Sequence, residues 1–160
     1  MRYLRPPDKI KQFIRHKVIS CAAKPSASLE EYKDKKLTFW SLIDTATQKE
    51  VLAQNTLLPQ ELPLFFGQNT STEYFLFTTE RLIISNRAEA LFYPEILKIG
   101  LDKDCMITNV KMMAVEPAFR TVYIQLKMKK SLSIEVLPSS TQCFIFLCKQ
   151  AIFVGRKYLQ

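Results

Sequence analysis

The chain has 160 residues, 48% of them hydrophobic, which is enough for one globular domain with an extension. Its 3 glycines are too few for a glycine-rich phosphate or dinucleotide loop, and neither motif occurs. The net charge of +8 is uneven, because residues 1–40 hold a surplus of six positive charges and the remainder a surplus of two. A basic N-terminal arm favours anionic partners, and a solvated arm that only aids solubility fits the composition equally well.

The cysteines point to a reducing compartment. Cys21, Cys105, Cys143 and Cys148 have the spacing of neither a zinc site nor a disulfide framework. The N-terminus lacks the apolar stretch of a signal peptide, and the longest apolar run, residues 143–154, is shorter than the roughly 20 residues of a transmembrane helix. We therefore expect a cytoplasmic location, with association at a membrane surface as the alternative.

The first predicted element is a helix from Lys9 to about Ile19, with Asp8 as its N-cap. An apolar stripe runs along it at helical spacing: Ile10, Phe13, Ile14 and Val18. The basic residues of the arm are candidate contacts to an anionic surface: Arg2, Arg5, Lys9, Lys11, Arg15 and Lys17. A basic amphipathic helix can lie in a membrane interface, but such a stripe more often packs on its own domain, and we expect packing here.

A second helix is predicted from about Leu29 to Gln54, with a break near residues 45–47. Ser28 and Glu31 form a capping-box pattern ahead of apolar residues that recur at helical intervals. The single tryptophan, Trp40, is expected to be a core or docking residue.

From Leu57 onward the apolar residues alternate with a period of two, which predicts strands. The predicted strands are Leu62–Phe66, Tyr74–Phe77, Leu82–Ser85, Ala90–Ile99, Ile107–Val115, Val122–Met128 and Leu132–Val136. Pro94 predicts a bulge or an edge position inside the fourth strand. A C-terminal helix is expected over Thr141–Tyr158, capped by Ser139 or Ser140.

The segment Glu73–Asn86, EYFLFTTERLIISN, has the pattern of a β-hairpin with a polar turn. It resembles the F-L-x-T-x-x-R-L-I-I hairpin of bacterial pleckstrin-homology-like (PH-like) and GRAM-type domains, and residues 57–67 resemble the segment that leads into it. The resemblance covers residues 57–159. It implies a seven-stranded antiparallel barrel of two nearly orthogonal sheets, capped by a C-terminal helix. The chain is then divided into a basic helical extension, residues 1–56, and a PH-like domain, residues 57–160.

The C-terminal helix is apolar on two sides. One stripe comprises Phe144, Leu147, Cys148, Ala151, Val154 and Tyr158, and the other Ile145, Phe146, Ile152 and Phe153. A capping helix needs only one buried stripe, so something must cover the second. We expect the N-terminal helices of the same chain to do so, with a homodimer through this helix as the alternative.

No catalytic residue, cofactor site or metal site is predicted. The sole histidine, His16, lies in the basic arm, and the carboxylates Asp102 and Asp104 are explained by a turn. Nucleic acid is not an expected partner, because basic and aromatic residues are not interleaved along an exposed strand.

The resemblance also bears on ligands, because PH domains that bind lipid head groups usually hold the phosphates with basic residues around the first hairpin loop. Here that loop, residues 67–72, contains no Lys or Arg. We therefore expect a non-catalytic scaffold or adaptor that binds a protein or peptide. The alternative is a peripheral membrane module that uses the basic arm on anionic lipids.

Overall fold

The structure, a computed structural model, describes residues 3–22, 37–70, 72–101 and 119–159. Over these residues the chain is α+β, with two antiparallel sheets and a long C-terminal helix. The predicted strand Ile107–Val115 and the first residues of the predicted second helix lie outside them.

Helix α1, Pro7–Ala22, carries the basic arm. It begins before the predicted start, so Asp8 lies in the first turn and is not the N-cap. Proline is well suited to a first helical position, because its fixed φ matches the helix and its missing amide would have no partner there. Ile10, Ile14 and Val18 are buried in the main core, which confirms that the stripe packs on its own domain.

The prediction of a second helix is wrong for its first described residues, 37–42. Strand β1, Leu37–Phe39, is followed by a 3₁₀ turn, Trp40–Leu42, and then by helix α2, Thr45–Gln54. β1 pairs with the neighbouring strand of the sheet, and this long-range pairing outweighs the local helical spacing. The helix starts afresh at Asp44, whose carboxylate accepts a 2.9 Å hydrogen bond from the Thr47 amide.

The first sheet has five strands in the order β1-β2-β3-β4-β5, all antiparallel. Strands β2 to β5 are Pro63–Gln68, Tyr74–Thr78, Arg81–Ile84 and Leu91–Phe92. The predicted hairpin is confirmed as β3–β4, with Phe77 opposite Leu82. Because side chains alternate along a strand, Phe77 enters the main core whereas Leu76 packs with Trp40 on the other face.

The second sheet has three antiparallel strands in the order β6-β7-β8, and these are Ile96–Leu101, Arg120–Leu126 and Ser131–Val136. The predicted continuous strand Ala90–Ile99 is wrong, since a 3₁₀ turn at Tyr93–Glu95 separates β5 from β6. Pro94 lies inside that turn, which carries the chain from one sheet to the other. Strand β7 ends before Met128, which has a φ of 64° and is exposed.

The described strands thus number eight, in sheets of five and three, and they do not close into the expected seven-stranded barrel. β1 adds an edge strand, and the turn at Pro94 makes two strands where one was predicted. β1 also pairs with β2 across the predicted division at residues 56 and 57, and α1 contributes to the same core as both sheets.

Helix α3, Pro138–Tyr158, packs across the second sheet and against α1. It begins earlier than predicted, with Leu137 as the N-cap, so Ser139 and Ser140 lie inside the helix. The predicted inner stripe is buried throughout. On the second side Ile152 is buried, whereas Phe153 is 55% exposed. Helix α1 contacts α3, and its Phe13 ring lies edge-on to Tyr158 of the inner stripe at 6.0 Å. The expectation that the chain's own N-terminal helices cover the second stripe therefore stays a prediction.

None of the helices in the described part of the chain is both long enough and apolar enough to cross a bilayer.

Candidate functional site

A groove with a volume of about 510 Å³ lies between α3 and strand β6. Its volume falls in the range of about 300–1,000 Å³ that is typical of ligand pockets. Its walls are formed by Leu97, Lys98, Ile99, Lys149, Ile152, Phe153, Arg156 and Lys157. Most of these positions belong to one face of α3, because residues three, four, seven and eight apart share a side of a helix.

The bottom of the groove is apolar, and two further apolar side chains of its lining are exposed to solvent. Ile99 and Ile152 are buried, whereas Leu97 and Phe153 are 47% and 55% exposed. Large apolar side chains that are exposed next to one another mark binding surfaces more often than isolated ones do. Phe153 and Leu97 therefore define the apolar part of the site.

The remaining lining residues are all cationic. Four of the eight are basic, namely Lys98, Lys149, Arg156 and Lys157, and no acidic residue of the described chain lines the groove. The Arg156 guanidinium donates hydrogen bonds to the Ile96 carbonyl and, at 3.0 Å, to the Leu97 carbonyl. Arg156 thereby holds α3 against β6, and the lysines form the charged rim.

Two structural explanations account for part of this charge. Arg156 and Lys157 lie in the last turn of α3, where cations offset the partial negative charge of the helix end. Among the described strands, β6 with Lys98 lies at the edge of its sheet, where lysine discourages pairing with other chains. Neither explanation covers Lys149, which lies within α3, or the exposed ring of Phe153.

The predicted anionic-surface residues do not form an extended arm. Arg2 lies outside the described residues. Among the others, Arg5 and Lys9 are exposed, whereas Lys11, Arg15 and Lys17 are half-buried.

Three of these cations lie over aromatic rings of the domain, a favourable electrostatic arrangement. Arg5 is 5.2 Å from the Tyr158 ring, Arg15 is 5.7 Å from the Phe39 ring, and Lys17 is 5.9 Å from the Phe153 ring. Since Phe153 lines the groove, Lys17 brings the charge of α1 to the groove's edge.

A second pocket, of about 410 Å³, lies between α2 and strands β2 and β3, and its lining is polar and apolar in equal parts. Several of its polar groups are paired within the protein. The Glu73 carboxylate accepts from Asn69 at 2.5 Å and from Asn86 at 2.6 Å, and the Tyr74 hydroxyl bonds to Gln54 at 3.1 Å. These bonds brace the sheet, so this pocket is the weaker candidate.

Polar residues of the hairpin turn form a network within the protein, in which Thr78 is buried and Arg81 is half-buried. Arg81 binds the Glu61 carboxylate through two nitrogens, at 2.9 and 3.0 Å, and the Thr78 hydroxyl donates to the same carboxylate at 2.6 Å. The Thr78 oxygen also accepts from the amides of Glu80 and Arg81. The Thr and Arg of the hairpin motif are thus structural residues that shape the turn.

Tyr3, in the N-terminal segment, contacts the residues of this hairpin turn. Its hydroxyl lies 3.1 Å from the Thr79 hydroxyl, and burial together with the neighbouring Glu80 raises the pKa of Tyr3 well above its ordinary value.

His16 is exposed on α1. In the described ranges, no three His, Cys, Asp or Glu side chains gather in a way that could hold a metal ion.

The groove was not found by sequence reasoning. The pattern of residues 149–157 predicts only an apolar helix, and Lys98 lies some fifty positions earlier in the chain. The one available signal was Lys149 and Lys157 placed four residues either side of Phe153, on neighbouring turns of one helix face.

No protein-family model, curated protein or solved structure matches this chain. Function is therefore inferred from the geometry and the charge of the groove.

Proposed function

We propose that this protein is a non-catalytic, PH-like binding module that holds a protein or peptide partner in the groove between β6 and α3. The observation that carries the proposal is the pair of exposed apolar side chains, Phe153 and Leu97, set in a concave surface with a basic rim. Two antiparallel sheets packed with a C-terminal helix support the PH-like part of the proposal.

The energetics of protein interfaces favour this site. Removal of apolar area from water is favourable by about 25 cal/mol per Å², and the costs of association offset part of this gain. Aromatic side chains that enter a partner's pocket dominate binding energies. Phe153 has the exposed area to act in this way, and the surrounding lysines supply the polar rim that such interfaces have.

Affinity purification from cells that express the protein tests the proposal. The wild-type chain should recover a protein in stoichiometric amount, and Phe153→Ala should lose it. Leu52→Ala is the matched control, because Leu52 is also an exposed apolar residue on a helix but does not line the groove. Equal recovery by Phe153→Ala and the wild-type protein would contradict the proposed site.

Peripheral membrane binding is the second candidate function, favoured by Lys17 of α1, which lies over Phe153 at the edge of the cationic groove. The apolar stripe of α1 is buried in the core, so contact with a bilayer has to be made by charge and not by insertion of α1. Each basic residue near an anionic surface contributes about 1 kcal/mol.

Co-sedimentation with anionic liposomes tests this second candidate. Charge reversal at the exposed residues Arg5 and Lys9 is preferable to truncation, because removal of α1 would also remove Ile10, Ile14 and Val18 from the core. Loss of binding in the reversed variant supports the membrane function, and negligible binding by the wild-type protein contradicts it.

A further inference from the structure

We infer that the groove recognises an acidic segment of a partner protein in which an apolar residue lies between acidic ones. This inference rests on the proposed function and specifies the chemistry of the partner. The apolar side chain lies between Leu97 and Phe153, and the acidic side chains pair with Lys98, Lys149 and Lys157.

The sign of the partner's charge follows from the residues that line the groove. All of its charged lining residues are positive. A basic segment would be repelled, and a neutral one would desolvate the lysines without replacing the lost hydration. An acidic segment pairs with these cations and is also steered towards the site as it approaches.

The distance between the cations of the groove determines the distance expected between the acidic residues of the partner segment. Lys149 and Lys157 are eight positions apart on α3, which corresponds to about 12 Å along the helix axis at 1.5 Å per residue. Two acidic residues roughly four positions apart in an extended segment match this separation, since such a chain rises about 3.3 Å per residue. Each lysine then pairs with its own carboxylate.

Phe153 lies midway between these two lysines, four positions from each. The matching segment therefore has an apolar residue between its two acidic residues. A single inorganic anion would leave the apolar floor of Ile99 and Ile152 empty, and a flat bilayer surface would not reach into a concave groove.

A random-peptide display selection on the intact protein tests this inference, with Phe153→Ala used for counter-selection. Selected peptides should carry Asp or Glu on both sides of an aromatic or aliphatic residue.

Fluorescence polarisation with the dye-labelled peptides then gives affinities. Lys149→Glu should weaken binding by about tenfold or more, because it converts an attraction into a repulsion. Leu52→Ala should leave binding unchanged, and circular dichroism checks that each variant is folded.

The outcomes separate the inference from the proposed function. Peptides that need Phe153 but carry no acidic residues, or that are unaffected by Lys149→Glu, overturn the acidic class and leave the peptide-binding groove in place. A selection that yields no Phe153-dependent peptide overturns both. A third outcome is binding to phosphatidylcholine–phosphatidylserine vesicles that depends on Phe153 and displaces the selected peptides. This outcome would assign the groove to a bilayer, and it would overturn both the acidic-segment inference and the proposed protein-binding function.

Discussion

At the scale of single residues, Gly155 controls how closely α3 approaches the turn that joins the two sheets. A Cβ atom built on Gly155 would lie 2.6 Å from the Tyr93 Cβ, which is closer than real Cβ contacts allow. Tyr93 has no room to move, since it is fully buried and its hydroxyl donates to the Thr78 carbonyl at 2.9 Å. Glycine is therefore required here for close packing.

Gly155→Ala should destabilise the protein by about 1–3 kcal/mol, the usual cost of overpacking. This cost exceeds the gain of up to about 1 kcal/mol from the better helix propensity of alanine. Urea unfolding measures the difference. Gly100→Ala is the control, because no atom lies within 4 Å of a Cβ at that position. Equal stability of Gly155→Ala and the wild-type protein would show that the cost of the contact is no larger than the gain from helix propensity.

Two buried residues make stability depend on alkaline pH. Burial raises the pKa values of both the Cys148 thiol and the Tyr93 hydroxyl well above their ordinary values of 9.0 and 10.0. The folded state therefore holds these protons more tightly than the unfolded state, so their contribution is complete below pH 9.0 and is lost as pH rises beyond it.

We expect the free energy of unfolding to fall as pH rises above 9.0, which urea titrations at several pH values measure. Cys148→Ala should reduce the steepness of the fall, because one of the two groups is gone. A stability that stays flat through this range, in both proteins, would contradict the prediction.

At the scale of elements, α1 is an integral part of the fold and not a detachable arm. Its stripe lies in the main core, and the segment before it is tied to the end of α3 by a bridge between Tyr3 and Leu159. The Leu4 amide also donates to the Tyr158 carbonyl at 2.9 Å. The first and last elements of the described chain therefore stabilise each other.

Ile14→Ala should cost about 2–5 kcal/mol, as expected for a buried isoleucine that leaves a cavity. Ile14 is only 1% exposed. His16→Ala on the exposed side of α1 is the control and should change stability little. Thermal unfolding compares the two variants, and a similar melting temperature for both would mean that α1 does not contribute to the core in solution.

The start of α2 depends on the Asp44 cap. Hydrogen bonds from the Thr47 amide and the Thr47 hydroxyl lower the pKa of Asp44 below its ordinary value of 3.8. The carboxylate thus stabilises the fold above pH 3.8, and this contribution is lost as pH falls through the lowered folded value.

Asp44→Ala should lower stability at neutral pH, whereas Asp44→Asn should retain most of it, because an amide oxygen also caps helices well. The difference between Asp44→Ala and the wild-type protein should shrink in acid, where the wild-type carboxyl is protonated. Urea unfolding at neutral and acidic pH checks this, and a difference that does not depend on pH would argue against a charged cap.

At the scale of the whole molecule, the groove exists because α3 packs beside strand β6 of the second sheet. Arg156 bridges the two elements by donating to the carbonyls of Ile96 and Leu97. The apolar floor, the exposed ring and the cations come from β6 and α3 together, so the groove depends on how these two elements pack.

Arg156→Ala should loosen this junction at a cost of about 1 kcal/mol, the typical net worth of a hydrogen bond. We expect faster amide hydrogen exchange in β6 and the last turns of α3, together with weaker binding of a Phe153-dependent peptide. Lys130→Ala, an exposed basic residue outside the groove, is the control. Unchanged exchange in Arg156→Ala would show that apolar packing alone holds α3 in place.

Elements whose signals are local can be predicted from the amino-acid sequence. The strands near Val122 and Ile134, the apolar stripe of α1 and the inner stripe of α3 each repeat their periodicity several times. The hairpin at Tyr74–Ile84 is predicted by two apolar runs that a polar turn joins. Features that depend on distant partners are found only in the folded structure. Strand β1, at three residues, is too short to show a period, and only its pairing with β2 makes it a strand. The groove likewise joins Lys98 to Lys149 and Phe153 through packing, which no local pattern encodes.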